Sequence, residues 1–200
     1  KLNKSLKKLN IPFSLTRNKL FDLMPHNLSI KKYDHLLRVA IKKNIISLSL
    51  RPRLPPKKNF QCTLINYQRS NPSIKNLQYK KILSLQKGID MQKEEILFVH
   101  NKNLLEGSTT NLIVIKNNNI FLPKGNFYRG ITLEFLLSKI SKDYRNKFIK
   151  FADLESADEI ILVGSGKGVI NVSSIPSIKW FSSSSKMFNR LLAIYKEQLK

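Results

Sequence analysis

Glu106–Thr132 reads EGSTTNLIVIKNNNIFLPKGNFYRGIT. A carboxylate precedes a run of small hydroxyl residues, an apolar run breaks at an Asn-rich turn, and a glycine opens a helix-like stretch. LIVIKNNNIFL is a hairpin signal, because asparagine tolerates the positive φ that tight turns require. GITLEFLLSKISK reads as a helix with Gly130 just outside it. The N–H groups of Ile131 and Thr132 then stand unpaired at the positive end of the helix dipole. Such an end holds a phosphate well, and the Thr132 hydroxyl adds to it; the plain alternative is an ordinary N-cap. Glu106 lies between NLL and LIVI, which puts it at the edge of the core and not among the solvated counter-charges. A carboxylate there needs a cation or hydrogen-bond donors.

Downstream, ADEIILVGSGKGVINVSSI reads as a buried strand, a glycine-rich turn and a second strand, and SKMFNRLLAIYKEQL as a closing helix. VGSGKGV is not a P-loop. That pattern wants Gly where Ile161 stands and Ser or Thr where Gly168 stands. Either the turn exposes N–H groups to an anion or it is a tight strand connection. Upstream, EEILFVHN reads as a strand, and the segment from Leu104 to Pro123 as two more. In SNPSIKNLQYKKILSLQKGI, the spacing of Ile74, Leu77, Ile82 and Leu85 predicts a helix with Pro72 in its first turn. Lys75 falls inside that apolar pattern. LNKSLKKLNI and TRNKLFDLMPHNLS read as short helices, the second ending near Pro25. HLLRVAIKKNIISLSLRPR reads as two strands around KKN, and RLPPKKNFQ, with Pro55 and Pro56, as an extended linker. Strands and helices mix irregularly and hairpins dominate, which argues an α+β fold.

The totals bound the function. The chain has 200 residues, with 36 Lys+Arg against 13 Asp+Glu, a net charge of +23. That charge suits a nucleic-acid partner; it suits equally a chain rich in Lys, Asn and Ile through biased coding. The cations are spread along the length with no base-reading motif, so a nucleic-acid partner is not the expectation. Cys62 is the single cysteine, which excludes an internal disulfide and fits a reducing, cytoplasmic setting. No stretch approaches the roughly 20 apolar residues needed to cross a bilayer. His26, His35 and His100 are scattered without metal-ligand spacing, and no G-x-S-x-G elbow is present.

In order, these pieces resemble the class IV pyridoxal-phosphate enzymes, or fold type IV. That family includes branched-chain and D-amino-acid aminotransferases and aminodeoxychorismate lyases. IKNLQYKKILSLQKGI is similar to the segment carrying the lysine to which pyridoxal 5'-phosphate is attached, which implies Lys75 for that role. LLEGSTTNLIVIKNNNIFLP resembles the signature strands, and Glu106 matches the carboxylate facing the pyridine nitrogen. YRGITLEFLL resembles the phosphate helix, assigning Ile131 and Thr132 to the phosphate, and Ser165 matches a Thr that also touches it. The resemblance runs from about the first residue to beyond Ile175. It implies a large pseudo-barrel β domain with helices over 57–200. The remainder of a smaller α/β domain falls over 1–56, with its leading segment absent. KLNKS lines up with RL-x-x-S, so Lys1 stands where the family has a phosphate-gripping Arg; Lys brings charge without the fork geometry. KKNIISLSLRPR lacks the Arg-Gly often found after the equivalent strand.

The implied chemistry is coherent. A lysine in an apolar pocket loses its proton and attacks an aldehyde as a neutral amine, and the same amine can then move a substrate α-proton. A carboxylate at the pyridine nitrogen keeps that nitrogen protonated. The IK-x-L form around Lys75 and the short chain lean toward aminodeoxychorismate lyase, with a class IV aminotransferase as the alternative and a non-catalytic basic nucleic-acid-binding protein as a remote one. The resemblance also implies a small-molecule amino substrate and a homodimer.

Overall fold

The computed structural model describes residues 1–24, 35–43, 45–140 and 144–199. Pro25 and His26, where the second helix was expected to end, lie outside them. Two short helices open the chain: α1 (Leu2–Lys8) and α2 (Arg17–Asp22), the latter capped by the Thr16 hydroxyl. β1 (His35–Lys42) and β2 (Ile45–Pro52) then form an antiparallel pair in a sheet of their own. The remaining strands make two five-stranded sheets. One runs in the order β12 (Trp180–Phe181), β11 (Ser174–Ile175), β3 (Gln61–Asn66), β4 (Glu94–His100), β5 (Asn103–Gly107). The other runs β10 (Gly168–Asn171), β9 (Glu159–Gly164), β6 (Asn111–Lys116), β7 (Asn119–Pro123), β8 (Tyr144–Lys147). Helices α3 (Lys80–Leu85), α4 (Ile131–Lys139), α5 (Phe151–Glu155) and α6 (Lys186–Glu197) complete the fold. Parallel pairs (β3–β4, β7–β8, β3–β11) stand among antiparallel ones, so the expected α+β class holds.

The apolar runs explain the layering. In β6, Leu112 and Val114 face the other sheet and pack with Cys62, Leu97 and Leu162. Ile113 and Ile115 face the opposite way, onto Leu133 and Leu136 of α4 and Leu191 of α6. A strand buried on both faces reads as a continuous apolar run and not as an alternation, which is why NLIVIK and EIILV look alike. A third cluster, Ile82 with Ile96 and Phe98, seats α3 on the outer face of the first sheet.

Two expectations are corrected. The helix predicted from Ile74 is confined to Lys80–Leu85; from Asn71 to Tyr79 the chain makes successive turns, such as Ile74 N–H to the Asn71 carbonyl. Leu77, counted toward the apolar face, is exposed. The segment from Leu104 to Pro123 holds three strands, because the hydroxyl run after Gly107 is a turn closed by the Gly107 N–H on the Thr110 carbonyl at 2.9 Å. The β6–β7 hairpin is as expected, with Asn117 and Asn118 at φ of 50° and 61°.

Gly107 makes that turn possible. A Cβ there would overlap the Thr110 hydroxyl and stand 3.2 Å from Glu95 Cγ. Gly107→Ala is therefore expected to cost about 2 kcal/mol by overpacking, read as a lowered denaturation midpoint at unchanged slope.

Candidate active site

The ends of β5 and β9, the start of α4 and the turns before α3 enclose one cavity of about 340 Å³. Lys75, Glu106, Ile131, Thr132 and Ser165 all line it. Residues from distant parts of the sequence thus converge on one space.

Glu106 sits on the edge strand β5 with 4% of its surface exposed. Its carboxylate accepts a 2.7 Å hydrogen bond from Arg69 Nε. Arg69 leaves the end of β3, lies 5.5 Å over the Phe98 ring, and forks onward to the carbonyls of Gly107 and Ser108. Burial raises the Glu106 carboxyl above its usual value, a rise that the Arg69 charge and hydrogen bond, the Tyr128 backbone N–H and the Lys75 charge offset only in part. Lys75 is thus close enough to act electrostatically on Glu106.

Lys75 lies in the turns before α3, its backbone N–H bonded to Ser5 Oγ at 3.3 Å. The expected apolar pocket is replaced by an aromatic flank: the ammonium stands 5.2 Å from the Tyr128 ring and 5.9 Å from the Tyr79 ring, and the side chain is exposed. The cation–π contacts orient the amine without closing it from solvent.

The start of α4, which also lines the cavity, is suited to an anion. Gly130 precedes α4 in extended conformation, and no side chain caps the helix. Its first N–H groups are therefore free to bond a ligand. Asn111 holds this entry in place, accepting from the Gly130 N–H at 2.8 Å and donating to the Tyr128 carbonyl at 2.6 Å. A Cβ on Gly130 would lie 2.7 Å from Asn111 Oδ1, so the approach needs glycine. Thr132 is buried and Ile131 exposed. Lys1 reaches the same place, donating from Nζ to the Arg129 carbonyl at 2.7 Å. Arg129 in turn donates to Glu134 at 2.7 Å and holds that carboxyl below its usual range.

Arg69, Asn111, Tyr79 and Tyr128 escaped the sequence reading. Asn111 was legible in principle as the polar end of EGSTTN. Arg69 was not, being one of 36 basic residues with nothing local to mark it. Among the described residues no group of three or more His, Cys, Asp or Glu is gathered for a metal, and no helix is long and apolar enough to cross a membrane.

The donor set fits pyridoxal phosphate: an amine, a carboxylate and an uncapped helix start suited to a phosphate line the same cavity. Comparison with known proteins agrees. The family model described as amino-transferase class IV matches residues 1–175. No curated protein sequence matches the chain. Among solved structures, a putative 4-amino-4-deoxychorismate lyase from Legionella pneumophila superposes with TM-score 0.75 at 18% identity, covering 98% of this chain and 82% of that one. The branched-chain amino acid aminotransferase from Escherichia coli gives 0.70 at 16%, covering 99% and 76%. A hypothetical aminotransferase from Mycobacterium tuberculosis in its PLP-bound form gives 0.62 at 17%, covering 76% and 63%. At these identities the likeness establishes the fold, type IV, and not the substrate.

Proposed function

This chain belongs to the class IV aminotransferase family, whose members use pyridoxal phosphate, and from that premise we propose that it is an aminodeoxychorismate lyase. The reaction would split 4-amino-4-deoxychorismate into 4-aminobenzoate and pyruvate, a step of folate biosynthesis. The observation that carries a pyridoxal-phosphate reading of these residues is that Lys75 and Glu106 line one cavity with the α4 N-terminus. The lyase choice within the family rests on the IK-x-L form around Lys75 and on cavity charge. Lys1, Arg69 and Lys75 face a single acid, Glu106, which suits a substrate bearing carboxylates.

We assign Lys75 as the attachment point of the cofactor and as the base that moves the substrate proton. Glu106, oriented by Arg69, would serve the ring nitrogen and keep positive charge there. The N–H groups of Ile131 and Thr132, the Thr132 hydroxyl and Ser165 would hold the phosphate, with Lys1 adding charge. When bound, the cofactor supplies an electron sink for the bonding electrons at the substrate carbon. Tyr79 and Tyr128 flank the amine and limit where it can swing. We assign residues 1–56 to the smaller unit and 57–200 to the cofactor-binding one, and take the working form to be a cytoplasmic homodimer.

One feature favours a second reading, a branched-chain or D-amino-acid aminotransferase: Leu37 and Val39 of β1 give the cavity an apolar wall suited to an aliphatic side chain. Coupled pyruvate detection separates the two. The lyase releases pyruvate from aminodeoxychorismate with no oxoacid added; a strict need for 2-oxoglutarate would overturn that reading in favour of the aminotransferase.

A further inference from the structure

Beneath the cavity lies a charged cluster that no step above uses. Glu95 of β4 is fully buried. It accepts hydrogen bonds from the hydroxyls of Ser108, Thr109 (2.6 Å) and Thr110 (3.4 Å), the whole turn between β5 and β6. Its carboxylate also stands 3.1 Å from Lys167 Nζ, whose side chain is 10% exposed. Lys167 belongs to the β9–β10 turn that carries Ser165. Its ammonium also donates to the Glu94 carbonyl at 3.3 Å and lies 4.9 Å over the Phe60 ring. Gln86, just after α3, donates to Ser108 Oγ at 2.6 Å. The two turns touch directly: a Cβ on Gly164 would lie 3.2 Å from the Thr109 carbonyl.

The ion pair therefore ties one five-stranded sheet to the other at the floor of the site. A buried pair is a poor source of stability, because desolvation offsets the Coulomb attraction. The neighbouring Cys62 thiol is pushed well above its usual range by burial and by the Glu95 charge, which leaves it unreactive. What remains is geometry.

We propose that Glu95 and Lys167 are positioning residues that hold the Ser108–Thr110 turn and the Gly164–Gly168 turn at the spacing where Ser165 meets the ligand phosphate at the start of α4. This rests on the phosphate assignment made above. The test is the preference of the full chain for pyridoxine 5'-phosphate over pyridoxine, read by calorimetry without turnover. In the double variant Glu95→Gln/Lys167→Met no buried charge is left unpaired. Its preference for the phosphorylated form falls on the order of tenfold, the worth of one misaligned hydrogen bond to a charged group. Lys167→Arg keeps the parent preference. Glu95→Asp, which only withdraws the carboxylate by one methylene, loses about threefold, less than one full hydrogen bond to a charge, and reads the same effect should the double variant not fold. A purely structural pair would weaken both ligands alike and leave their ratio unchanged, which overturns the inference alone. A parent chain with no preference for the phosphorylated form overturns the phosphate assignment, and the inference with it.

Discussion

Lys75→Ala loses turnover by on the order of 10⁴-fold or more, because one residue serves as both attachment point and base. The near-visible absorption of covalently held cofactor disappears with it. Stability does not follow. The Lys75 side chain is exposed, and the backbone N–H that bonds Ser5 Oγ remains in the variant. Surface truncations of this kind shift stability by less than about 0.5 kcal/mol. The phosphate contacts proposed at α4 and Ser165 are separate from the amine, so the variant still binds pyridoxine 5'-phosphate. Loss of activity with binding and melting preserved is the signature of a chemical role. A variant that kept full turnover would remove Lys75 from the mechanism and with it the pyridoxal-phosphate reading of this cavity.

The parts of the fold legible in the sequence were those where local pattern and tertiary use coincide. β6 and β9 are buried on both faces and appear as apolar runs; the Asn117–Asn118 turn and the Gly130 helix start announce themselves by residue type. β3 was missed because only Cys62 among its six residues is fully buried, leaving no alternation to read. The helix predicted at Ile74 failed for the converse reason: the spacing was present, but Leu77 points to solvent and the Lys75 N–H is spent on Ser5. Apolar spacing predicts a helix only where the apolar face meets a core.

The site shows the same division. Its motif residues could be matched one by one, but their partners could not. Arg69 meets Glu106 across 37 positions and Lys167 meets Glu95 across two different sheets. In a chain of 36 cations, composition cannot mark which are buried against an acid. The cost of burying a charge supplies the rule after the fact: Glu95, Glu106 and Glu159 are the buried acids among the described residues, and each has found donors, Glu159 at Ser184 and the N–H groups of Met187 and Phe188.

Glu106→Gln lowers turnover by on the order of 10²-fold, the usual loss when a preorganised charge at a reacting system is removed. Glutamine keeps the shape and one acceptor for Arg69, so the cofactor is still taken up and the defect lies in kcat. Arg69, only 15% exposed, is left without its counter-charge. That costs about 2 kcal/mol, partly offset because a neutral amide is easier to bury than a carboxylate. The pH dependence of stability tests the same residue independently of activity. Burial raises the Glu106 carboxyl above its usual value of 4.5, so the folded chain holds that proton more tightly than the unfolded one. The contribution is present below the unfolded value and is lost as pH rises through the raised folded value. Thermal melts of the parent therefore decline across that window, on top of the slope set by the other carboxyls, and melts of Glu106→Gln lack that share of the decline. Equal pH slopes in the two proteins would show that Glu106 titrates as an ordinary exposed acid. The desolvation that follows from its burial would then not act on its charge, and the buried Arg69–Glu106 pair described for the site would not be the arrangement in solution.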